Sequence, residues 1–214
     1  MKQKCFLLLF CWASMYSAYA QTTEYVCNGK YKIELPSKVE LQHSELNTIR
    51  QATTQGGKMR VMISTNSGHI TFQQKGLNAE EKSAFNKYCR VIIEYFKEDR
   101  NNPTYGRGDR IVVDKDLLYA VTEYAKESCA QSGTPFIRLI SLEPLSINGL
   151  PVLYYSYKRK GWEGTQPPVI VNVYRVFNKY ESVTLTFSYR EKERELWNNI
   201  HDNIVRTFSF TNKY

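Results

Sequence analysis

Residues 182–189 alternate with a period of two: Val183, Leu185, Phe187 and Tyr189 are apolar, and Ser182, Thr184, Thr186 and Ser188 are polar. Successive side chains of a strand point to opposite faces, so this pattern belongs to an antiparallel sheet with one packed side and one wet or partly covered side. Its neighbours are also β-rich. Residues 135–147 and 150–158 flank Asn148-Gly149, a pair that tolerates the positive φ of a tight hairpin turn, and 169–177 forms another strand after the loop 161–168. A helix follows over about 190–206 with Leu196, Ile200 and Ile204 on one stripe, and 207–210 is extended.

The N-terminal half is more mixed. Tyr31, Ile33 and Leu35 alternate with Lys30, Lys32 and Glu34, so 25–35 is expected to be one half-buried strand ended by Pro36. The polar stretch 37–55 carries Leu41, Leu46 and Ile49 at spacings that suggest a short helix before Gly56-Gly57. Runs at 59–64 and 69–73 around Asn66-Ser67-Gly68 predict a hairpin. Asn78 and Glu81 resemble a capping box, and Phe85, Cys89, Ile92 and Phe96 share one helical face, which predicts a helix ending before Asn101-Asn102-Pro103. After a Gly-rich connector and Ile111-Val112-Val113, Asp114 caps a second helix. There Leu117, Leu118, Val121, Tyr124, Ala125 and Cys129 recur at helical spacing until Gly133.

The first twenty residues have the form of a secretory leader. Lys2 and Lys4 start it, an apolar run over 5–16 is too short to span a bilayer, and Ala18-Tyr19-Ala20 is a small-x-small ending, so cleavage is expected between Ala20 and Gln21. Removal from the 214-residue chain leaves 194 residues, read as one domain over 21–214. The leader holds two of the 29 basic residues and none of the 21 acidic ones, so 27 stand against 21 and the remaining charge is +6. In an exported chain this mild excess suits an anionic envelope component or a protein partner rather than nucleic acid, and it also serves as ordinary solubilising charge. A periplasmic or secreted location is expected, with no transmembrane segment in the mature chain.

Three cysteines remain after processing: Cys27, Cys89 and Cys129. Cys89 and Cys129 fall on the apolar stripes of the two expected central helices, where they either meet as a disulfide or act as small apolar core residues. Cys27 is the odd one, or a staple between the first strand and a helix.

The C-terminal order is a strand, Asn148-Gly149-Leu150-Pro151, a second strand, a loop, two strands ending in Thr184-Leu185-Thr186-Phe187-Ser188, and a helix closing on Thr207-Phe208-Ser209-Phe210. This resembles the PsbP-like superfamily, which includes the photosystem II extrinsic protein and envelope proteins of the DcrB type; Ile33-Glu34-Leu35-Pro36 resembles its opening strand. The resemblance implies an α+β fold, an antiparallel β-sheet flanked by helices as an α/β/α sandwich, in exported accessory or binding proteins with no common reaction. It carries over no active site.

Catalytic signatures are missing from the chain. There is no Gly-x-Ser-x-Gly elbow, and His43, His69 and His201 lack distinctive partners; His201-Asp202 reads as a solvated helix face. No Cys-x-x-Cys, His-x-x-x-His or calcium loop suggests a metal, and no cofactor is expected. Gly106-Arg107-Gly108-Asp109 lacks the Gly-Lys-Ser/Thr of a phosphate loop, and its Arg-Gly-Asp reads as a turn. The candidate binding segment is Lys158, Arg159 and Lys160 with Trp162, three cations beside an amphipathic aromatic. Its plain alternative is a tryptophan capping the sheet edge with solvated lysines around it. These features point to an exported, non-catalytic accessory or binding protein of a bacterial envelope. The competing readings are an envelope enzyme with a site assembled from scattered residues, and an immunity or inhibitor protein.

Overall fold

The computed structural model describes residues 22–43, 47–55, 58–66, 68–99, 104–161 and 167–211. The expected leader, with the cleavage expected between Ala20 and Gln21, and Trp162 lie outside them. Two sheets organise the chain, which is an α+β protein with more strand than helix. One is mixed, with the order β12-β2-β1-β5-β4, built from β1 (Thr22–Cys27), β2 (Tyr31–Pro36), β4 (Asn47–Gln55), β5 (Lys58–Thr65) and β12 (Ser209–Phe210). The other is antiparallel, with the order β3-β6-β7-β11-β10-β9-β8. It comprises β3 (Val39–Leu41), β6 (His69–Gln74), β7 (Cys89–Lys97), β8 (Phe136–Ile147), β9 (Leu150–Arg159), β10 (Val169–Phe177) and β11 (Glu181–Arg190).

Among the described residues there are two α-helices, α1 (Lys115–Gln131) and α2 (Arg194–Thr207). Asp114 caps α1 as its sequence suggests: its side chain accepts a hydrogen bond from the Leu117 N–H at 2.8 Å. Gly133, in the left-handed region, follows its end. The Asn148-Gly149 turn also forms, both residues at positive φ, and sets the β8–β9 register. Neither helix is long and apolar enough to cross a membrane.

The period-two pattern of β11 packs as read. Val183, Leu185, Phe187 and Tyr189 join Phe72, Val91, Ile93 and Ile170 in one core, which the five-stranded sheet covers with Tyr31, Ile33, Leu35 and Ile63. Trp197, Ile204 and Val205 of α2 complete it. Six of its aromatic side chains, Trp197, Tyr31, Tyr189, Phe72, Phe187 and Phe208, are fully buried, and burial of such rings dominates core energetics. On the opposite face, α1 lays Val121, Ala125 and Cys129 over Tyr155, Tyr157, Val171 and Val173, forming a second, smaller core.

Several sequence expectations are overturned. The helix expected from Asn78 is a turn region, a short 3₁₀ segment at Ala84–Asn86 and then strand β7. Cys89, Val91 and Ile93 are buried with a period of two, whereas Phe85 and Phe96 of the supposed stripe are 58% and 42% exposed. The β-branched run Val91-Ile92-Ile93 fits a pleated sheet better than a helix. Asn78 instead ties strands together, donating from its side chain to the Leu41 carbonyl and accepting from Gln73. Of the suggested helix within 37–55, the described residues form β3 and β4, and Leu46 lies outside the described residues. The single strand over 25–35 is the hairpin β1–β2, turned by Asn28 and Gly29 at positive φ. The runs at 59–64 and 69–73 are strands but not a hairpin. β5 pairs with β1 and β4 while β6 pairs with β3 and β7, so the chain crosses between sheets there. The expected single antiparallel sheet is thus two sheets, with β1 and β5 parallel.

The cysteine pairing is corrected as well. Cys27, Cys89 and Cys129 are all free and buried. Cys89 packs in the core between the sheets and Cys129 in the core beneath α1, so the seven-stranded sheet separates them. Both fill the alternative role of small apolar core residues.

Candidate functional site: arginines gathered at one end of the sheet

Antiparallel register brings together charges that are far apart in the chain. Val169, the first residue of β10, pairs with Arg159 of β9 on one side and with Arg190 of β11 on the other. One strand further, Arg90 of β7 lies opposite Ser188, two residues before Arg190 on the same strand. Directly opposed residues, and residues two apart on a strand, share a face of a sheet. Arg159, Arg190 and Arg90 therefore rise from the face that α1 covers, at the end where α1 stops. They line a cleft of about 450 Å³ with Tyr88, Ser132, Thr134, Gly161, Pro167 and Val169.

The cleft wall is rigidly held. The Tyr88 hydroxyl lies 3.2 Å from the Ser188 hydroxyl and accepts from the Arg159 guanidinium at 3.4 Å. Arg159 also donates to the Lys160 carbonyl at 3.1 Å. Arg190 donates to the Asn86 carbonyl at 2.9 Å and faces Glu193 at 3.5 Å. Glu193 accepts in turn from the Tyr88 N–H and the Trp197 indole N–H, which fixes the β7 entry against α2. Among the described side chains lining the cleft there is no carboxylate, and three guanidiniums present planar forks suited to oxyanions. Hydroxyls of Ser132 and Thr134, 2.9 Å apart, add polar partners at the α1 end.

The three described residues of the sequence-derived binding segment point in different directions. Arg159 enters the cleft. Lys158, on the opposite face of β9, pairs with Glu191 at 2.7 Å, and Lys160 is exposed, its backbone N–H bonded to the Pro135 carbonyl. Trp162 lies outside the described residues. Sequence reasoning missed Arg90, Arg190 and Tyr88, because only strand pairing brings them to Arg159.

Chemistry elsewhere is subdued. His201 is not on a solvated helix face: it is 1% exposed, between the rings of Phe187, Tyr189 and Trp197. The Cys89 sulfur lies 3.7 Å from its Nε2, a spacing that resembles a Cys–His pair. Burial lowers the His201 pKa to about 3 and pushes the Cys89 thiol up, so both are neutral and no thiolate forms. The Arg-Gly-Asp is folded onto the protein. Asp109 accepts from the Gly106 N–H at 2.7 Å, and Arg107 donates to the Asn148 carbonyl at 2.9 Å. No group of three or more metal-ligating side chains occurs among the described residues.

No family model and no curated protein matches the chain. It is similar to a crystal structure from Bacteroides thetaiotaomicron at 10% identity and a TM-score of 0.49, covering 91% of this chain and 51% of the other, so it spans about half the length of that protein. It is similar to the cyanobacterial PsbP of Synechocystis at 14% identity and a TM-score of 0.46, over 91% of this chain and 95% of that one. A third similar structure is LpqN, involved in cell envelope biogenesis of Mycobacterium tuberculosis, at 10% identity and a TM-score of 0.45, covering 90% and 91% of the two chains.

Proposed function

We propose that this chain is an exported, non-catalytic accessory protein of a bacterial envelope that holds an anionic headgroup in the cleft of Arg90, Arg159 and Arg190. The carrying observation is the paired register in which Arg159 and Arg190 flank Val169 while Arg90 stands across from Ser188. Three guanidiniums with no carboxylate among the described lining residues form a locally positive concavity whose geometry suits bidentate oxyanion binding. The basic start, apolar run and Ala18-Tyr19-Ala20 ending support export, with the functional domain beginning at Gln21.

The reading is tested by co-sedimentation with phosphatidylglycerol vesicles and with phosphatidylcholine vesicles. Wild-type protein is expected to follow the anionic vesicles at low salt and to leave them as salt rises. Arg90→Met with Arg159→Met is expected to lower that binding at least tenfold at an unchanged circular-dichroism spectrum. Equal binding of wild type and double variant to phosphatidylglycerol, or equal binding to both vesicles, would remove the cleft as the contact.

A further inference from the structure

A second cleft, of about 770 Å³, is lined by charges that the arginine site does not use. Glu24 forms one wall. It is 8% exposed, accepts a hydrogen bond from Arg60 Nε at 2.5 Å and lies 3.6 Å from Lys32 Nζ. Burial alone would raise its pKa, but the Arg60 hydrogen bond and the charges of Lys32 and Arg60 outweigh this and hold the carboxyl below its ordinary value. Glu24 is therefore an anion at neutral pH that fixes two cations. Both cations stay roughly half exposed, at 46% for Arg60 and 44% for Lys32, leaving donors free to reach into the cleft.

A third cation arrives from another part of the chain. Arg107 lies along the β8–β9 turn, where its guanidinium bonds to the Asn148 carbonyl. A Cβ on Gly149 would come within 2.7 Å of Arg107 Nη1, so this docking needs glycine at the turn. Phe210, Leu150 and Val26 supply apolar surface in the same cleft. Three cations against one carboxylate leave an excess of two positive charges around a partly apolar cavity of the size that holds a small organic ligand.

We infer that this cleft binds a small organic anion, its carboxylate, sulfonate or phosphate held by Arg60, Lys32 and Arg107 and its hydrocarbon or aromatic body lying against Phe210 and Leu150. Glu24 acts as a positioning residue, holding Arg60 and Lys32 in place without touching the ligand. The inference is independent of the arginine cleft, which shares no lining residue with this one.

The test uses 8-anilinonaphthalene-1-sulfonate as the probe, with N-phenyl-1-naphthylamine as its uncharged counterpart. Titration is followed by fluorescence and by amide shifts in a ¹H–¹⁵N spectrum. Saturable binding is expected, with shifts centred on Lys32, Arg107, Asn148 and Phe210, and the uncharged compound is expected to bind at least tenfold more weakly. Arg107→Met and Ser209→Glu should each weaken the sulfonate at least tenfold, whereas Arg90→Met with Arg159→Met should leave it unchanged. Equal affinity for the two compounds, or loss of the sulfonate in the Arg90/Arg159 variant alone, overturns the assignment. So does sulfonate binding that neither Arg107→Met nor Ser209→Glu changes.

Discussion

The two faces of the seven-stranded sheet are built for different tasks. One faces the five-stranded sheet and α2, and its Phe72, Phe187 and Tyr189 are fully buried together with Trp197 of α2 and Phe208 after it. The other is covered by α1 over β8, β9 and β10, where Tyr155 and Tyr157 form the packing surface. Beyond α1, the same face carries half-buried Thr71, Glu94, Thr184 and Thr186. The sealed face holds the fold, whereas the partly covered one leaves polar side chains accessible, and the arginine cleft opens where its cover ends. Sites that bind are commonly placed this way, on a rigid support but at the margin of its packing.

The largest expected effect contrasts the two faces directly. Phe187→Ala removes a fully buried ring from the sealed core, and such losses typically cost about 3–5 kcal/mol, a fall of about 10 °C in melting temperature for a chain of this size. Phe136→Ala, partly buried on the α1 face, should cost less than about half of that. Chemical and thermal denaturation of both variants measures the gap, and equal losses would mean that α1 seals its face as fully as the second sheet seals the other.

His201 sharpens the contrast through pH. Its ordinary pKa of 6.5 falls to about 3 in the folded protein because burial penalises the charged ring. Below pH 6.5 the unfolded chain takes up a proton that the folded chain refuses until about pH 3. Stability should therefore fall with acidification across that window, by about 1.4 kcal/mol per pH unit. Denaturation between pH 7 and 4.5 should show this slope in wild type and a much flatter one in His201→Phe. An identical slope in both would place the acid sensitivity elsewhere.

Smaller still is the cap of α1. Asp114→Ala leaves the Leu117 N–H without its partner and should cost about 1 kcal/mol, read by denaturation, with the β11 core intact. The thiols give a qualitative check. Burial pushes Cys27 up to about 12 and raises Cys89 and Cys129 as well, so none should react with iodoacetamide at pH 8 until the protein unfolds. Rapid native labelling at Cys129 alone would show that α1 lifts off its face.

What was legible in the sequence followed from local chemistry. The alternation of 183–189, the Asn148-Gly149 turn and the Asp114 cap each act over a few residues, and each formed as read. Asn28-Gly29 is equally local, a turn pair at positive φ, and splits the stretch 25–35 that the alternation of 30–35 alone suggests is one strand. β7 failed for a different reason: four apolar residues at 85, 89, 92 and 96 matched a helix by coincidence, although the intervening Val91 and Ile93 carried the true period of two. Pairing between distant segments left no local mark. Nothing near 59–73 indicates that its two strands join different sheets, and nothing near 90, 159 or 190 shows that three arginines meet. Arg159 alone was visible, because it sits in a run of cations.

The most direct test of the arginine cleft observes the guanidiniums themselves. With ¹⁵N-labelled arginine, the side-chain Nε–H resonances are followed while glycerol 1-phosphate is added at low salt. Binding in the cleft predicts saturable shifts for Arg90, Arg159 and Arg190 with one common affinity, and little change for Arg138 and Arg206. Absent shifts, or equal and unsaturated shifts at every arginine, would contradict it and leave the charges as surface solvation alone.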